Sequence, residues 1–150
     1  MSRDIGQAIG TRELGSERGP VSVEVGMPLQ MHDDVPAAWM CGVQITGMRP
    51  EPLIIWAPGV DSMDALISAL RMAGDRLSLS GLHLTWNGVA NTLMPVTQTD
   101  GTILVPQITE QQIADAFGAD VAAGMTAQRT ALDEKLEDHL RAERDAADDE

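Results

Sequence analysis

A chain of 150 residues with 43% hydrophobic side chains is long enough for one domain with its own core, hiding roughly two thirds of its unfolded surface. Residues 1–99 hold ten acidic against six basic side chains and residues 100–150 hold thirteen against four, giving a formal charge of −13 that disfavours direct DNA or RNA binding, where cationic groups release counterions from phosphate. One cysteine excludes an internal disulfide, the N-terminus lacks the apolar stretch of a signal peptide, and no apolar run approaches the roughly 18 residues of a membrane span, so a cytoplasmic protein without membrane contact is expected.

Residues 7–15 read as a first strand, and the turn formers Gly15 to Pro20 fold it back as a hairpin. Val21, Val23, Val25 and Met27 alternate with Ser22, Glu24 and Gly26, the period-two pattern of a strand with one buried face. Pro28 and the polar run Met31 to Pro36 predict a loop. Trp39, Cys41, Val43 and Ile45 alternate in a third strand, and Leu53 to Ala57 is a continuous apolar run, read as a strand buried on both faces.

The period changes after Gly59-Val60-Asp61-Ser62. Met63, Leu66, Ile67, Leu70 and Leu77 recur at helical spacing, Asp61 or Ser62 suits the N-cap, and Asp64 suits the first turn, which predicts a helix over 62–79. Gly74 weakens it by about 1 kcal/mol relative to Ala. Leu82 to Trp86 reads as a fifth strand ended by Asn87-Gly88, and Ile103-Leu104-Val105 as a short strand after the turn pair Asp100-Gly101. Thr109 and Gln112 have capping-box spacing, and a helix over 110–146 follows, with Gly118 and Gly124 placing a bend or break near 118–124. The expected architecture is α+β: an antiparallel β-meander of about five strands packed on one main helix, in a domain over 1–108, with an acidic helical extension over 109–150.

Trp39-x-Cys41, Gly59-Val60-Asp61-Ser62-x-x-Ala65-Leu66 and Leu84-Thr85-Trp86, in that order, resemble a family of small bacterial domains of unknown function over about residues 7–96. The resemblance implies one main helix on an antiparallel sheet. It implies no activity and carries over no catalytic residue, and it leaves the acidic extension unaccounted for.

Each candidate site has an ordinary structural role open to it. Cys41 shares a face with Trp39, Val43 and Ile45, which favours an inert core thiol over a nucleophile. His32, Asp33 and Asp34 lack the further converging ligands a metal needs, with His83 and His139 on separate elements. Asp61 and Asp64 fit capping better than acid/base pairing, and Trp56 and Trp86 fit core packing better than a ligand groove. No Walker, Rossmann or nucleophile-elbow pattern occurs, so no catalytic, cofactor or metal residue is assigned, and an enzyme with an unrecognised site stays the least favoured alternative.

The segment 131–150 holds nine acidic residues against Lys135, Arg141 and Arg144. It reads as a solvated helix with a Glu137 to Arg141 pair, or as an interaction arm with Leu132, Leu136 and Leu140 as its apolar edge and Glu134, Glu137 and Asp138 as its charge. A sustained coiled coil is disfavoured, because it would put Arg129 and His139 at core positions. The expected function is a non-enzymatic protein-binding module, a bacterial or phage accessory factor of the inhibitor or immunity type with an acidic surface for a basic partner. The alternative is a structural subunit that self-associates through the C-terminal helix.

Overall fold

Alternating β-branched and polar residues build the sheet. In the computed structural model, which describes residues 4–31 and 38–148, β1 (Ala8–Leu14) and β2 (Val21–Gly26) form an antiparallel hairpin. Its turn is closed by the Gly19 N–H donating to the Ser16 carbonyl at 3.1 Å and the Ser16 hydroxyl donating to the Gly19 carbonyl at 2.7 Å. The loop expected around His32, Asp33 and Asp34 lies outside the described residues. The strand β4 (Trp39–Thr46) is central, with β2 on one edge and β5 (Leu53–Gly59) on the other. A two-residue β3 (Leu29–Gln30) continues along β4 beyond the end of β2. The sequence had shown only a loop there, since two residues after a proline are too few to display alternation.

The core lies between this sheet and α1 (Ser62–Ser78). Val21 and Val23 of β2, Cys41, Val43 and Ile45 of β4 and Ala57 of β5 are all but inaccessible. Ile55 and Ala57 are buried while Ile54 and Trp56 are half-buried, so β5 buries one face and not both, because α1 covers one side of the sheet only. The helix meets the sheet through small residues: Ala65, Ala69 and Ala73, four apart, are fully buried with Leu77, whereas Met63 is 63% and Ile67 50% exposed. The large apolar residues that announced the helix therefore partly face solvent. Gly74 is needed for close approach, since a Cβ there would overlap the Pro95 carbonyl.

The segment 82–86 is not a strand of the sheet. Thr85 forms an isolated bridge with Gly15, each N–H donating to the other's carbonyl at 2.8 and 2.9 Å, and Trp86 bridges Val89 across Asn87 (φ 46°) and Gly88 (φ 82°). Two consecutive positive φ angles make this a tight two-residue turn, the reason Asn-Gly stands there. The alternation of Leu82 to Trp86 reflects Leu84 reaching the core, not ladder pairing, and the fifth strand is β3. Further on, β6 (Val96–Thr97) and β7 (Ile103–Leu104) form a small antiparallel ribbon around Asp100-Gly101. The Asp75 carboxylate accepts from the Thr97 N–H at 2.6 Å and hydroxyl at 2.8 Å, tying β6 to α1.

By contact density the chain divides into units of residues 1–107 and 108–150. The second is helical. Thr109 and Gln112 form the expected capping box at the start of α2 (Glu110–Phe117), with the Gln112 N–H donating to the Thr109 hydroxyl at 3.1 Å and the Thr109 N–H to the Gln112 Oε1 at 2.9 Å. The helix breaks at Gly118, whose φ of 100° suits glycine, and α3 (Ala119–Asp148) then runs 30 residues. Gly124 stays helical, so the break falls at the first of the two expected glycines. Among the described residues, no helix is long and apolar enough to cross a membrane.

Candidate functional site

Most candidates from the sequence sit in structural roles. The Cys41 thiol is fully buried and donates to the Gly26 carbonyl at 3.3 Å, and burial pushes its pKa up, the opposite of what a nucleophile needs. Asp61 accepts from the Asp64 N–H at 2.7 Å, and Asp64 reaches back to accept from the Val60 N–H at 2.9 Å. Both carboxylates thus satisfy backbone donors at the start of α1.

Trp86 packs against the main core. Trp56 is half-buried on the opposite face of the sheet, where any side chain at Gly42 would meet it and Ile5. Both tryptophans are held by packing, on different sides of the sheet. The nearby depression of about 510 Å³, lined by Gln44, Glu51, Pro52 and Ile54, gathers one carboxylate and no histidine. Among the described residues, no three His, Cys, Asp or Glu side chains converge.

One polar arrangement has no sequence signal. The Arg12 guanidinium donates to the Thr92 carbonyl at 3.1 Å and to the Leu93 carbonyl at 2.6 Å. The Met94 sulfur accepts as well, at 3.7 Å, and with no carboxylate among these acceptors the arginine reads as a staple of β1 to the segment before β6. In the sequence, an arginine on a strand with polar neighbours gives no hint of a partner about eighty positions away.

The second unit carries the remaining candidates. Its buried hydrophobic residues, among those described, are Ile113 and Ala122, at 8% and 1% exposure. Phe117, Val121 and Met125 are half-exposed, and Leu132, Leu136 and Leu140 are 65%, 56% and 46% exposed. Between α2 and α3 lies a groove of about 400 Å³ lined by Ile108, Glu110, Ile113, Met125, Thr126 and Arg129. Glu134, Glu137 and Asp138 all stand in solvent on α3. Arg141 pairs with Asp138 at 3.7 Å, not with Glu137 as the spacing suggested, and His139 lies 3.4 Å from Glu143. A three-residue step serves Arg141 as well as a four-residue one, because both neighbours lie on its side of the helix.

The chain belongs to the family described as Domain of unknown function (DUF6968), whose family model matches residues 10–96. No curated protein and no solved structure matches it. The matched span runs from β1 to the start of β6 and so covers the sheet and α1, while the acidic helical unit lies beyond it.

Proposed function

We propose that this protein is a non-enzymatic protein-binding module, a cytoplasmic bacterial or phage accessory factor of the inhibitor or immunity type, which presents the acidic side of α3 to a basic partner. The observation that carries this reading is the segregation of charge: residues 100–150 hold thirteen acidic against four basic side chains. Glu134 and Glu137 form no ion pair among the described residues, so their charge is available to a partner. Complementary charge of this kind speeds encounter and selects partners more than it adds affinity. The family-matched sheet unit serves as the scaffold, with its candidate nucleophile inert and its carboxylate pair occupied in capping.

The test is affinity capture with the full chain, with residues 1–130 alone, and with the charge-reversed variant Glu134→Lys/Glu137→Lys/Asp138→Lys. Capture that weakens with salt and is lost in both altered proteins supports the proposal. Capture unchanged by truncation and by charge reversal removes the acidic side from the account.

A further inference from the structure

The face of α3 that packs on α2 does not end where α2 ends. The two helices have 8 and 30 residues, about 12 and 45 Å at 1.5 Å per residue, so α2 can cover only the first part of α3. There Ala122 is buried, and Met125 and Arg129 line the groove beside α2. At steps of three and four residues the same side of the helix continues through Leu132, Leu136 and Leu140, with no helix of this unit long enough to reach them. A single helix with such a polar exterior is marginal without packing.

Charge identifies what completes it. The half of α3 over 119–130 has one acid, Asp120, and one base, Arg129; the half over 131–148 has seven acids against three bases. Parallel pairing of two copies would set the two acidic halves side by side. Antiparallel pairing lays each acidic half on the other copy's nearly neutral half, beside the positive end of that helix's dipole. This also answers a feature unfavourable in isolation, the absence of any basic residue in the last turn of α3.

One register satisfies both apolar and charged residues. Setting Met125 against Leu136 of the second copy places Val121 against its Leu140 and Arg129 beside its Asp133. Arg129 and Asp133 form no ion pair within the chain among the described residues. We infer that two copies of this chain pair antiparallel through α3, with Leu132, Leu136 and Leu140 of each entering the groove between α2 and α3 of the other. Arg129, awkward at the core of a sustained coiled coil, gains a carboxylate in this arrangement. The inference does not rest on recognition of a basic partner, since pairing uses the apolar side of α3 and leaves Glu134, Glu137 and Asp138 turned outward.

Sedimentation equilibrium on the full chain is expected to give twice the 16.0 kDa chain mass at micromolar concentration. Leu136→Asp, which alters a residue exposed within the chain, is expected to return the single-chain mass with α1 and the sheet intact by circular dichroism. Orientation is read by mixing Val121→Cys with Leu140→Cys under mild oxidation: the mixed disulfide between the two variants is expected. A full-length monomer, or a dimer unaffected by Leu136→Asp, overturns the pairing. A dimer that yields only the Leu140→Cys homodisulfide, or no mixed disulfide, overturns the antiparallel register. Salt-sensitive capture of a partner by a monomeric chain would separate the failure of this pairing from the proposed function, which would stand.

Discussion

The Arg12 guanidinium lies 2.6 Å from the carbonyl oxygen of Leu93, 81 residues away, and Leu93 holds an unusual φ of 55°. The first strand thus fixes the segment that leads from α1 to β6. Arg12→Met removes a charged donor from two part-buried carbonyls and is expected to cost about 1–3 kcal/mol in urea unfolding. Arg12→Lys is expected to recover only part of this, because both carbonyls accept from one nitrogen of the guanidinium, Nη1, whose fixed planar geometry a rotatable ammonium does not reproduce.

Two helical glycines should respond to alanine with opposite signs. At Gly124 an added Cβ meets open space, so Gly124→Ala is expected to stabilise by up to about 1 kcal/mol, the helix-propensity difference. At Gly74 the same Cβ would overlap the Pro95 carbonyl, and overpacking of about 1–3 kcal/mol outweighs the propensity gain. Thermal unfolding of the two variants checks the pair, and stabilisation at Gly74 would show that the 92–97 segment yields freely.

Cys41 should be unreactive in the folded chain. Its thiol is buried, its pKa is raised by that burial and it donates to Gly26, so little thiolate forms near neutral pH and no reagent reaches it. Alkylation is expected to follow unfolding by denaturant, with none in native buffer.

Acid should loosen one specific tertiary contact. The Glu17 carboxylate accepts from its own backbone N–H and from that of His83, the latter at 2.9 Å, and these bonds hold its pKa below the usual carboxylate value. A depressed folded pKa means the contact contributes fully above the unfolded-state value and is lost as pH falls through the folded one. The amide resonance of His83 is expected to shift with a midpoint below that of free glutamate, and Glu17→Gln should flatten the curve.

Features set by neighbours in the chain were legible in the sequence. The β1–β2 hairpin, the alternation of β4, the Asp61 cap, the Thr109–Gln112 box and the break at Gly118 each rest on a handful of consecutive residues. Features set by packing across the fold were not. Small residues make the buried face of α1 because the helix sits close to the sheet, a distance no helical spacing encodes. Leu82 to Trp86 alternates like a strand yet, among the described residues, makes isolated bridges, Thr85 to Gly15 and Trp86 to Val89, in place of a ladder, and Gly74 reads as a weak point of the helix because Pro95 is distant in sequence. On α3 the exposed leucines could be read from their spacing, whereas the choice of Asp138 over Glu137 by Arg141 depends on side-chain placement.

That the second unit is an interface between two copies is tested most directly by distances between spin labels in the paired protein. Labels would be placed at Ala131→Cys and, separately, at Ala146→Cys, Cys41 being shielded. Antiparallel pairing centred near residue 131 predicts a short distance for the first label and about 45 Å for the second, from 1.5 Å of rise per residue along two opposed helices. Short distances at both positions, or no intermolecular distance at either, would contradict it.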